Sequence, residues 1–418
     1  MIKSFFDFSN QKYLLFAIKG KMKDNRKSPQ SQISPSVIFL SLLMLVLFNK
    51  GSLLKLDQMM RLKPVKNFFK VGSQRKMAVS DSTISRSLSG FEIEPLRSYL
   101  KLIYLKAKEE GKCKVELFGR KLKIASVDGS QFGVFYGCAL QILGEANLLL
   151  DIEVAKGRGK EIAATNSLLQ RAFEQYKGSY KDSNKDSLAF AELVLLDGLY
   201  ANQNTINLIL KHKSNALIKT DEERLNIIKD AKGLFSHWQN YSGIEHEVGF
   251  DDQRLCEYEL WACEGFSFGG VNTPMKVAHV KEKYPKEVKK KKQNRDFWVL
   301  CTDETLTGRQ LRELAHLRWR IENNGFRQLN QQASCDHVYT HEVHAFEALM
   351  LILFIGWNLF LLFNLELGKD FIQIQEYIGV KWSLSFLSLL LLVSFLFEYY
   401  LDPIPIRPIR PISLSHQG

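Results

Sequence analysis

The chain has no two cysteines at the spacing of a zinc ribbon or a redox pair; its six, Cys113, Cys138, Cys256, Cys263, Cys301 and Cys335, are scattered. That spread excludes a dense disulfide framework and a cysteine-based metal knuckle, leaving reduced thiols as the plain reading. A leader is not expected either. Met1 to Asn10 carries Phe5, Phe6, Asp7 and Phe8 without a basic stretch, an apolar core and a small-residue cleavage site, so no export is expected and the cytoplasm is the expected location. Acid is the scarcer charge: 45 Asp plus Glu stand against 57 Lys plus Arg, for a formal charge of +12. This balance favours a polyanionic partner, either nucleic acid or an anionic membrane surface. At 418 residues the chain is long enough for two or three domains around a substantial core.

Long uncharged runs are few. Val37 to Phe48 is too short to cross a bilayer, whereas Ala348 to Leu365 approaches the required length of about 18 residues. Asn358 and Asn364 interrupt it, Glu347 and Glu366 bound it, and no basic cluster flanks it, so it reads as a buried helix of a large domain. Trp382 to Phe397, broken by Ser383, Ser385, Ser388 and Ser394, would pack beside it. Taken as a hairpin, the two runs would instead anchor a membrane protein.

Residues 1–110 read as helical, with a start at Pro35-Ser36 and an amphipathic stretch from Leu53 to Leu62. Ser80 to Leu88 sets capping hydroxyls before a short helix bearing Arg86, which suits either a helix laid on DNA or an ordinary capped surface helix. From Val115 the texture turns to strands at Lys121 to Val127, Val134 to Gln141 and Leu148 to Ala155, then a helix from Glu161 to Tyr176. A strand from Leu188 to Leu196, a helix from Asn204 to Lys211 and a strand at Ala216 to Lys219 follow. Residues 115–219 thus form the first part of an α/β core and 220–295 a β-rich insertion. Residues 296–345 complete the core with a helix from Thr307 to Gln332. An apolar helical segment spans 346–401, and a Pro-rich tail, 402–418, is extended or disordered.

Three carboxylates stand out against this order. Asp128 and Asp197 each close an apolar run at an Asp-Gly pair, and Glu322 follows Leu317-Arg318-Trp319-Arg320-Ile321 on the late helix. Taken singly, Asp-Gly marks a turn, and Glu322 merely pairs with Arg318 one turn back for about 0.3 to 0.5 kcal/mol. Taken together, two strand ends and a helix can meet at one end of a sheet, where open α/β sheets collect their sites. Hard divalent cations take such oxygen ligands. Two of them would activate a water or a 3′-hydroxyl and stabilise the leaving oxygen of a phosphodiester.

Through these residues the chain resembles the DDE transposases of bacterial insertion sequences, the insertion-sequence-four type, over roughly Lys123 to Phe363. The carriers are Val127-Asp128-Gly129-Ser130, the segment from Leu150 to Gly159, Leu196 to Asn202, and Arg318 to Phe326. The resemblance implies a ribonuclease H-like catalytic core with a β-rich insertion, plus a helical N-terminal DNA-binding region and a helical C-terminal segment. It implies cleavage and strand transfer dependent on two Mg²⁺ ions, with Mn²⁺ as a substitute, held by Asp128, Asp197 and Glu322. The DNA would be the terminal inverted repeats and a target, bound by a homodimer on paired ends near the nucleoid, with no membrane.

Arg318 matches the family's helix signature, but Ala315 stands where a Tyr belongs and Leu329 where a Lys belongs, so Arg327 or Gln328 is left to substitute for the missing cation. Arg320 and the Gly-rich basic turn of Lys156, Arg158 and Lys160 are further DNA contacts, the turn reading equally well as a solvated loop. Lys289 to Lys292 reads as a solvated link. Trp238, Trp261 or Trp298 would stack on a flipped base, whereas Trp319 reads as packing. Asp336, His337, His341 and His344 read as a polar turn rather than a metal cluster. The departures from the signature leave a catalytically silent DNA-binding remnant as an alternative to an active enzyme.

Overall fold

The computed structural model describes residues 1–25, 33–49, 51–69, 79–176 except 156 and 158, 190–285, 293–378 except 336 and 338, and 383–398. Its first hundred residues are helical: α1 (Ile2–Tyr13), α2 (Leu15–Lys19), α3 (Pro35–Leu47), α4 (Leu53–Met60), α5 (Lys63–Phe69), α6 (Asp81–Leu88) and α7 (Ile93–Glu109). Local chemistry fixes their starts. The Ser34 hydroxyl accepts from the Val37 N–H with Pro35 in the first turn, and the Ser80 hydroxyl accepts from the Thr83 N–H ahead of α6.

A small ribbon, β1 (Val115–Leu117) with β2 (Arg120–Leu122), precedes the main sheet. The chain continues through β3 (Ile124–Phe132), β4 (Phe135–Ile142), β5 (Leu148–Ala155), α8 (Glu161–Gln175), β6 (Leu193–Asp197), α9 (Gln203–Lys211) and β7 (Asn215–Thr220). Next come α10 (Asn226–Phe235), β8 (Glu245–Asp251), β9 (Cys256–Phe266), β10 (Met275–Lys283) and β11 (Arg295–Cys301). The last helices are α11 (Gly308–Leu317), α12 (Gln328–Ala333), α13 (Val343–Ile378) and α14 (Leu384–Glu398).

Among the described residues, nine strands make one mixed sheet in the order β5-β4-β3-β6-β7-β11-β10-β9-β8. Only β3–β6 and β6–β7 are parallel. Leu193 to Leu196 of β6 are all buried, as expected for a central parallel strand covered on both faces. Residues 220–295, expected as a β-rich insertion, supply α10 and β8 to β10. These strands extend the same sheet, because β11 returns antiparallel to β7, pairing Val299 with Lys219 and Cys301 with Leu217. The strand expected from Leu188 is shorter, since pairing with β3 begins only at Leu193; Leu188 itself lies outside the described residues.

The apolar run at Ala348 lies in α13, which packs on α3, α7 and β5. By length and composition this helix qualifies as a membrane span, but 83% of its apolar window is buried inside the protein. Asn358 explains why it belongs there. Its amide donates to Leu149 O at 2.7 Å and accepts from Leu149 N at 3.0 Å, so one side chain completes the backbone pairing of β5, the terminal strand of the sheet. A second polar tie is Asp151, fully buried on β5, which takes Arg97 Nε of α7 at 3.1 Å and Arg171 Nε of α8 at 2.6 Å. Segment 402–418 lies outside the described residues.

Asn358→Leu keeps the volume and strands both Leu149 groups. It should lower unfolding free energy by roughly 2–3 kcal/mol, read from urea denaturation; an unchanged midpoint would refute the role given to this amide.

Candidate active site

Two of the three acids are brought together by strand register. In the parallel pair β3–β6, Ser126 lies opposite Leu195, so Asp128 and Asp197, each two residues further on, stand at matched positions. Neither Asp-Gly pair is a simple turn. Asp128 sits inside β3, which runs on to Phe132, and its Oδ1 accepts from the Gly129 N–H at 2.9 Å. Asp197 ends β6, and Gly198 follows because a Cβ there would lie 2.4 Å from Thr220 Oγ1; only glycine lets the chain pass so close to β7.

The third acid arrives on a helix of changed winding. Thr307 and Gln310 form a reciprocal cap at the start of α11. Arg312, 2% exposed, ties the helix to the sheet through Glu282 and Asp251. Glu282 is held down to about 2, although burial alone would raise it, because His316 and Arg312 both bond to it. The continuous helix expected from Thr307 to Gln332 is interrupted: Ile321–Arg327 is wound as a π-helix before α12 resumes. Such segments occur frequently at functional sites. This one carries Glu322 outward and rests Phe326 edge-on against Phe132 of β3, ring centres 5.3 Å apart.

Arg318 occupies the point where the acids converge. Its guanidinium lies 3.2 Å from Asp128 Oδ2, 2.6 Å from Glu322 Oε1 and, through Nε, 4.0 Å from Asp197 Oδ1. The arginine is 5% exposed and Asp128 14%, while Glu322 and Asp197 are 45% and 50% exposed. Burial pushes the Asp128 carboxyl up to about 7; Arg318 opposes this, and Glu322 and Asp197 add to it. Burial also works against the charge on Arg318, but the three acids outweigh it and raise its pKa. Nε is buried without a hydrogen-bond acceptor.

Three carboxylates against one guanidinium leave two negative charges unbalanced. The donors are all oxygen, which is the chemistry that holds a hard divalent cation. Among the described residues no three acid, thiol or imidazole side chains are close enough to enclose one ion, and the guanidinium stands between the acids. In donor type and charge the residues fit such an ion.

Clefts open on both sides of Arg318. One, about 440 Å³, is lined by Asp128, Ser130, Gln131, Glu322, Arg327 and Asn330 among others. The other, about 660 Å³, holds Asp197, Lys219, Arg295 and Trp319. Lys219 is the register neighbour of Asp197 across β6–β7, and its Nζ lies 3.9 Å from the centre of the Trp319 ring. Arg295 lies 4.1 Å from the same ring. Burial, then Arg318 and Arg295, lower Lys219 to about 8. Sequence reasoning passed over Lys219 and Arg295 and read Trp319 as packing. The one available signal was a lysine closing an otherwise apolar strand.

The other expected contacts divide. Arg327 is exposed beside the acids, and Arg320 is half-buried. Lys160 is exposed ahead of α8. Lys156, Arg158 and Lys289 to Lys292 lie outside the described residues. Ala315 and Leu329 are both fully buried, each packed in an apolar core. Trp238, Trp261 and Trp298, expected to take a flipped base, alternate with His246 and His279 in a stack across β8 to β11. Trp298 is 1% exposed, with Phe235 stacked on it as well. His337 and His341 are exposed, and the ring of His344 bonds Phe91 O; Asp336 lies outside the described residues.

The family model described as Transposase DDE domain matches residues 126–359, more than half of the chain, from β3 into α13, and the match includes all three acids. No curated protein matches the chain.

The lifted carboxyl has a thermodynamic signature. Between its ordinary value of 3.8 and about 7 the folded protein keeps a proton that the unfolded chain has released. That contribution to stability is complete at low pH and is lost as pH rises through about 7. In chelator-treated buffer the urea midpoint should fall from about pH 4 to about pH 8, and Asp128→Asn should remove most of that slope. An equal slope in the variant would show that this carboxyl is not the one lifted.

Proposed function

The chain belongs to the transposase DDE domain family, and from that membership we propose that it cleaves DNA at the ends of an insertion sequence and joins those ends to a target. The observation that carries the reading is the meeting of Asp128, Asp197 and Glu322, from two strands and a π-wound helix, on one guanidinium. The mixed sheet with its parallel centre supports a ribonuclease H-like core of the insertion-sequence-four type.

In this reading Asp128, Asp197 and Glu322 hold two Mg²⁺ ions, or Mn²⁺ in their place. Bound there, the ions supply Lewis-acid stabilisation of the attacking and leaving oxygens of a phosphodiester. The acids are kept in position by Arg318, whose charge offsets their mutual repulsion and whose burial fixes its direction; as the phosphate enters, the same guanidinium is the nearest protein donor. Arg327 lies in the cleft on the Glu322 side, where it meets the DNA backbone, and Arg320, Lys160, Lys156 and Arg158 add sequence-independent affinity.

The helical N-terminal region supplies a surface for the terminal repeats. Ser82 and Arg86 are exposed on α6 and Ser89 just past its end, the combination of small hydroxyls and a cation that suits a helix on duplex DNA, with Asp81 exposed at its start. Two copies on paired ends, acting in the cytoplasm without a membrane, complete the proposal.

Replacing Asp128, Asp197 or Glu322 by alanine should reduce Mg²⁺-dependent nicking of duplex element ends by at least about a hundredfold while DNA binding in gel shifts persists. Nicking that survives any one of these changes would reject the assignment of that residue.

A further inference from the structure

We propose that Lys219 and Arg295, set around Trp319, form a subsite for a DNA phosphate on the Asp197 side of the acids, so that β7 and β11 supply the cation which α12 does not. The inference rests on the DNA-cutting reading above and adds to it the residues that hold the strand on one side of the cut.

Position is the first argument. Asp197 and Lys219 are register partners in a parallel pair, so a phosphate held by Lys219 lies next to a bond presented to Asp197. Arg295 comes from β11, antiparallel to β7, and both cations reach the same indole. The second argument is charge. Among the described residues no carboxylate lies within ion-pair reach of Lys219 Nζ, and the nearest to Arg295 is Glu282 at 4.0 Å. Two other acids of this cleft, Asp221 and Asp296, are exposed, and Asp296 is engaged by His279 at 2.6 Å. Lys219 thus stands beside two guanidiniums, Arg295 and Arg318, whose repulsion exceeds the attraction of Asp197 and Glu282, a crowding that an entering anion relieves.

The third argument is what the cleft cannot do. With two cations within 4.1 Å of its centre, the Trp319 ring holds charge in place and is not free to stack on a base. The subsite thus recognises the phosphodiester backbone whatever the sequence. On the Glu322 side the cleft already has Arg327, whereas Leu329 of α12 is fully buried and carries no charge.

The test uses the full chain, a fluorescent duplex of arbitrary sequence and chelator in place of metal, with binding followed by anisotropy across a salt series. Each phosphate contact contributes about 0.9 to the slope of log affinity against log salt. Lys219→Met should lower that slope by about one contact and weaken binding several-fold, and Lys219→Arg should restore it. A Lys219→Met protein of normal affinity and slope but lowered thermal midpoint would overturn the proposal, making the lysine a packing cation only. Should that variant not fold, Arg295→Gln decides by the same slope, which must fall for the proposal to stand. Absence of binding by the unaltered protein would reject the DNA-cutting reading itself, an outcome distinct from normal binding by the variants.

Discussion

Everything at the end of the sheet where the three acids meet depends on a single guanidinium. Arg318 meets Asp128, Glu322 and Asp197, three groups whose like charges would otherwise drive them apart in a partly dry site. Removing one partner of a buried pair costs about 3–5 kcal/mol because the remaining charge is left uncompensated; here that applies to Arg318 and Asp128, the enclosed pair, while Glu322 and Asp197 are half exposed and screened by water. Burial lifts the most enclosed of the three acids and its two neighbours add to the lift; one guanidinium against three carboxylates leaves a site that suits further cations.

A guanidinium can do this only if the helix bearing it is rigidly seated. Arg312 and His316 of the same helix reach Glu282, which is fully buried, while Arg254 bridges Asp251 and Glu313 at its side. This network lies beneath the helix and is satisfied from several directions, so it orients α11. The matched register of β3 and β6 sets two acids, and the seated helix brings the arginine to them. The strands β8 to β10 thus bear on the site through Glu282 and Asp251, although they contribute no acid to it.

Much of this was legible in the chain. The order of strands and helices, the helix start at Pro35, the capping hydroxyls at Ser80, the burial of α13 and the gathering of Asp128, Asp197 and Glu322 all follow from periodicity, from local capping chemistry and from Asp at the ends of apolar runs. What was not legible depends on tertiary neighbours. Strands β8 to β10 read as an insertion because a sequence does not say which sheet a strand joins; that was decided by β11 pairing with β7. The tryptophans read as free platforms because cross-strand histidines cover their faces only once the register is set. Lys219 and Arg295 are far apart in sequence, and only the β7–β11 pairing brings them to one indole.

The π-wound stretch has a consequence for how motifs are counted. A spacing in residues stands for an angle about a helix axis only while every residue turns the chain by the same amount, 3.6 to the turn in an α-helix. From Ile321 to Arg327 that conversion fails, and it fails at the acid from which the signature is measured. Azimuth, rather than position in the string, then determines which side chains beyond Glu322 look toward the acids, so an absent letter at a prescribed offset is weak testimony that a contact has been lost.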